Sequence, residues 1–142
     1  MTRFSRPLYS IPLLGFLLAC QPDDPANAPC TGQEICTEIF VSVVVTVTTA
    51  EGQPVALDRY YTKHIQTGEV FQLQPDATDS LRQANGTYPV VSDAQRDKLA
   101  PEGSPLLFVG EKNGSVVVER PYTVGHDCCH IQRISGETDI TL

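Results

Sequence analysis

Glu38-Ile39-Phe40-Val41-Ser42-Val43-Val44-Val45-Thr46-Val47-Thr48 alternates with a period of two and is rich in β-branched residues. In an extended chain Ile39, Val41, Val43, Val45 and Val47 share one side, and Phe40, Ser42, Val44, Thr46 and Thr48 share the other. The pattern predicts a long strand with one face in a core. Ala50-Glu51-Gly52 then breaks it and Gln53-Pro54-Val55-Ala56-Leu57 resumes it, which predicts a hairpin.

Farther on, Tyr60–Ile65 and Glu69–Leu73 read as strands around the Thr67-Gly68 turn. Residues 74–87, with Pro75, several acids and Asn85-Gly86, read as a long loop. Tyr88-Pro89-Val90-Val91 is a short strand whose proline places it at a sheet edge. Ser92-Asp93-Ala94-Gln95 has the form of a capping box opening a short helix, stopped by Pro101 and Gly103. Leu106–Val109 and Ser115–Glu119 flank Lys112-Asn113-Gly114, a favoured hairpin turn. Tyr122–Val124, Cys129–Ile134 and Ile140–Leu142 complete the pattern, with Ser135-Gly136 as a turn. Many short strands and one short helix predict an all-β, antiparallel β-sandwich over residues 36–142.

Toward the amino terminus the character changes. Arg3 and Arg6 precede the uncharged, leucine-rich stretch Leu8–Ala19, too short to span a bilayer. It ends in Leu17-Leu18-Ala19-Cys20. This tetrapeptide resembles the lipobox of bacterial lipoproteins. The resemblance implies removal of residues 1–19, a covalent lipid on Cys20 and attachment to a membrane through acyl chains. Residues 20–35, with Pro22, Pro25 and Pro29, then read as the lipidated end and a tether. Gln21 after the cysteine, and the acids Asp23-Asp24, resemble export signals of Bacteroidota lipoproteins and imply the outer membrane.

Cleavage takes two of the ten cations and none of the seventeen anions, leaving a net charge of −9. Such a chain disfavours nucleic acid and anionic headgroups as partners. Tryptophan is absent, so aromatic platforms for sugars or bases are sparse.

Cys30, Cys36, Cys128 and Cys129 remain, an even set that reads as two disulfides in an oxidising compartment. The neighbours Cys128 and Cys129 point to opposite faces if extended, which favours pairing each with Cys30 or Cys36, in either order. A local Cys30–Cys36 loop is the alternative.

His126-Asp127-Cys128-Cys129-His130 is the one cluster suggestive of a metal or a thiol-redox centre, with His64 as a further imidazole. Against it, thiols outside the cytoplasm oxidise, and on a strand His126 and His130 stand about 13 Å apart. No resident cofactor or metal is therefore expected. Ser92, Asp93 and a histidine are present, but no Gly-x-Ser-x-Gly elbow arranges them. Asp76, Asp79, Asp93 and Asp97 lack the alternation of a calcium loop and read as solvated.

Val43-x-Val45-x-Val47, then Gly52-x-Pro54-Val55, resembles the opening hairpin of carboxypeptidase-regulatory-like, transthyretin-like and immunoglobulin-like modules. Leu57-Asp58-Arg59-Tyr60-Tyr61 departs from their pattern. The whole chain resembles small lipoproteins of Bacteroidota. The expectation is a non-enzymatic module of the cell envelope that contacts other envelope proteins or glycans.

Overall fold

The computed structural model describes residues 30–73 and 79–142. The signal segment, Cys20, residues 21–29 and Asp76 lie outside the described residues. Among the described residues eight strands build two sheets. In the first, β1 (Ser42–Thr48) lies between β4 (Thr87–Ser92) and β8 (Asp139–Thr141). The second has β2 (Arg59–His64), β3 (Val70–Phe71), β5 (Ser104–Lys112), β6 (Ser115–His126) and β7 (Ile131–Ser135) in the order β3-β2-β5-β6-β7.

The alternation in β1 is realised as read. Val43, Val45 and Val47 are buried while Ser42 and Val44 face out, and Val41 packs against the core. Strand order begins at Ser42, however, and Ile39 is exposed. Across from β1, Leu106 and Phe108 of β5 and Tyr122 of β6 are fully or nearly buried. Burying a side chain of this size stabilises by about 1.5–3 kcal/mol, so this one core dominates the fold. β4 sits at the edge, as Pro89 requires, and is buried along nearly its whole length because α1 (Asp79–Ala84) packs on it.

Several expectations are corrected. The sheets are not purely antiparallel: β8 runs parallel to β1, with Val47 opposite Ile140. Residues 53–57 form no strand. Their ladder contact is an isolated bridge, Thr48 to Pro54, in which the Thr49 amide donates to the Gln53 carbonyl at 2.8 Å and the Val55 amide to the Val47 carbonyl at 3.0 Å, and it goes no further. Instead the Tyr88 hydroxyl accepts the Leu57 amide at 2.7 Å and donates to the Val55 carbonyl at 2.6 Å. A side chain thus satisfies the backbone that a ladder would otherwise serve.

Part of the expected 74–87 loop is the helix α1, and the capping-box segment Asp93–Lys98 is a 3₁₀ helix, so two short helices replace one. Gln95 reaches back to the Ser92 amide at 3.1 Å, as the box requires. Ser115–Glu119 and Tyr122–Val124 are one continuous strand. Pro121 is tolerated there because β7 pairs with β6 only from Thr123 onward. The Asn113-Gly114 turn joins β5 and β6 as read, both residues having positive φ.

Candidate functional site

Two disulfides gather the amino-terminal segment onto the turn after β6: Cys30 bonds Cys128, and Cys36 bonds Cys129. Each closes more than ninety residues of chain. Cross-pairing is as expected, but the reason given for it is not. Residues 127–130 are not extended, because Cys128 has φ 76° and the chain turns there. Both sulfurs reach the same segment from a turn rather than from opposite faces of a strand. Residues 30–35, assigned to the tether, are bracketed by these bonds.

Asp127 shapes the turn. Its Oδ1 accepts the amides of Cys129 at 3.0 Å and His130 at 2.8 Å, and its Oδ2 accepts the Gln132 amide group at 2.9 Å. The His130 amide above all, with those of Cys129 and Gln132, holds the Asp127 carboxyl below its ordinary value, against the opposing push of burial. Arg96 closes the turn from the 3₁₀ helix, donating to the carbonyls of Cys128 at 2.8 Å and Cys129 at 3.1 Å.

Asp93 is the hub. It was expected on a solvated helix face, yet its side chain is only 13% exposed. Its Oδ2 accepts the Val41 amide at 2.8 Å and faces His130 Nδ1 at 2.9 Å, while Oδ1 accepts the Ile131 amide at 2.9 Å. One carboxylate therefore joins the approach to β1, the 3₁₀ helix and the start of β7. Burial pushes this carboxyl up, but the Ile131 and Val41 amides and His130 outweigh it, and the net shift is downward.

On the far side of the imidazole, His130 Nε2 lies 2.8 Å from Thr37 Oγ1. Thr37, His130 and Asp93 thus stand in the order hydroxyl, imidazole, carboxylate. The sequence singled out Ser92 beside Asp93; the hydroxyl that meets the histidine belongs to Thr37, ninety-three residues away. No local signal links these positions.

Thr37 is exposed, and the amides of Cys129, His130 and Ile131 are committed to Asp127 and Asp93. The neighbouring cleft of about 430 Å³ is lined by Cys30, Glu34, Arg96 and His126, and borders neither Thr37 nor His130.

The remaining metal candidates are dispersed. His126 Nε2 is 3.2 Å from the Leu99 carbonyl, and its Nδ1 accepts the Cys128 amide at 3.2 Å. His64 is buried on β2, edge-on to Phe71. The sulfurs of Cys30, Cys36, Cys128 and Cys129 are bonded in two pairs, and among the described residues no three ligating side chains converge.

A second cleft, about 560 Å³, lies between β6 and the β7–β8 connection, lined by Ile65, Pro105, Arg120, Pro121 and Glu137. Arg120 pairs with Glu137 at 3.4 Å across it. The Tyr122 hydroxyl donates to the Glu137 carbonyl. Burial first, then the Glu137 charge, pushes this phenol up to about 12, so it remains a donor at neutral pH. No family model, curated protein or solved structure matches the chain.

Proposed function

We propose that this chain is a lipid-anchored, non-enzymatic module of the bacterial cell envelope, carried at the outer membrane by acyl chains on Cys20. Its two-sheet body is an immunoglobulin-like or transthyretin-like platform that contacts other envelope proteins or glycans. The observation that carries this reading is the pair of long-range disulfides at the end of the body where the chain leads back to Cys20. Disulfides persist in oxidising compartments, and here they fix the body at its point of attachment. Mass analysis of the membrane-extracted protein tests it. Loss of residues 1–19 with diacylglycerol on Cys20 is expected, and Cys20→Ala should carry no acyl mass while keeping both disulfides. An unmodified Cys20 in a retained leader refutes it.

One observation favours a rival: the Thr37–His130–Asp93 order is also that of an activated nucleophile. A fluorophosphonate probe separates the two. Labelling at Thr37 that disappears in His130→Gln would establish the enzyme; an unlabelled Thr37 is the result expected for a non-enzymatic module.

A further inference from the structure

The large apolar side chains that the fold leaves in solvent are not evenly spread. Ile35 is 101% exposed, Ile39 64% and Phe40 69%, all within six residues around Cys36 and ahead of β1. This stretch is held outward rather than left loose. Cys36 is bonded to Cys129, Thr37 meets His130, and the Val41 amide is fixed by Asp93. Fixing a segment costs conformational entropy, and here the ordered product displays three large hydrophobes to water.

We propose that Ile35, Ile39 and Phe40 are a membrane-docking edge that enters the lipid interface of the bilayer carrying Cys20, and so holds the body upright on that surface. The proposal rests on the lipid-anchor reading. From Cys20 to the bonded Cys30 is ten residues, a reach of at most about 36 Å, so this end of the body is confined near the membrane. The occupant is uncharged lipid rather than an anionic headgroup. Residues 30–41 contain Glu34 and Glu38 and no Lys or Arg, and the neighbouring cations are single ones, Arg82 bordering the cleft at Phe40 and Arg96 that at Glu34, so contact gains chiefly from apolar burial. Glu34 is moreover turned back onto Thr31, whose hydroxyl donates to it at 2.9 Å.

The fold supplies its own control. The β5–β6 turn lies about 36 Å along β6 from His126, at the far end of the body, where Val116 is also exposed. The chain has no tryptophan, so a single introduced one reports its own surroundings. The acylated full protein is reconstituted into phosphatidylcholine vesicles in which part of the lipid carries brominated chains. Phe40→Trp and Ile39→Trp should emit at shorter wavelength and lose roughly half their intensity or more, as expected for a ring seated 5–10 Å into the headgroup boundary. Val116→Trp should be unaffected. Emission from residues 39 and 40 that is unquenched, in protein that floats with the vesicles and carries acyl mass, overturns the docking edge and leaves the anchor standing. A blue shift that depends on protein concentration and not on lipid assigns the edge to a second copy, and also overturns it. Protein without acyl mass that fails to float overturns the anchor and the docking edge together.

Discussion

Asp93 illustrates how much one residue holds here. It accepts two backbone amides, from Val41 just before β1 and Ile131 at the start of β7, and faces an imidazole. Asn in its place presents an NH₂ group where an acceptor is needed, so at least one amide is orphaned. Asp93→Asn should cost about 2–3 kcal/mol, read from the urea midpoint at neutral pH. Thr37→Val, which removes an exposed hydroxyl, should change stability by less than about 1 kcal/mol. The acid limb follows from the same atoms. Asp93 and Asp127 both lie below their ordinary value of 3.8, so the unfolded chain takes up these protons first. Their contribution is complete above about pH 5 and is lost as pH falls below the ordinary carboxyl range. Unfolding free energy measured against pH should therefore drop on the acid side, and the drop should be shallower in Asp93→Asn.

Turns and crossings decide the elements. Gly136, with φ 120°, joins β7 to β8, and a Cβ there would clash with the Tyr122 ring at its Cδ1. Tyr122 is buried and tied by its hydroxyl to the next residue of the turn, so it has nowhere to go. Gly114 also has positive φ, 74°, but faces open space. Gly136→Ala should cost about 3 kcal/mol or more, from overpacking added to backbone strain. Gly114→Ala should cost only about 1–2 kcal/mol, from the backbone alone. Thermal unfolding of the two variants side by side distinguishes them. The Ser135-Gly136 turn was legible from its residues, and so was Asn113-Gly114. That Gly136 lies against an aromatic ring was not, because the ring belongs to a strand fourteen residues earlier.

For the molecule as a whole, the disulfides act as an interleaved pair. Cys36 lies just inside the Cys30–Cys128 loop and Cys129 just outside it, so with one bond in place the other closes only a loop of a few residues. On the chain-entropy argument, replacing either pair by serine should cost about 2–3 kcal/mol, whereas replacing both should cost about 7 kcal/mol. Denaturant unfolding of the two single-pair variants and the four-serine chain checks this excess over additivity. The sequence by itself determined the β-rich body, the buried face of β1, the edge position of β4, the turn glycines and an even set of cysteines fit for two disulfides. These follow from side-chain period, proline's missing donor and the parity of the thiols, all local or countable properties. Tertiary structure alone decided the parallel seat of β8, the partner of each cysteine, the Tyr88 contact that replaces a hairpin ladder, and the meeting of Thr37, Asp93 and His130. Each depends on groups dozens of residues apart, and their proximity is created only when both sheets close over a common core.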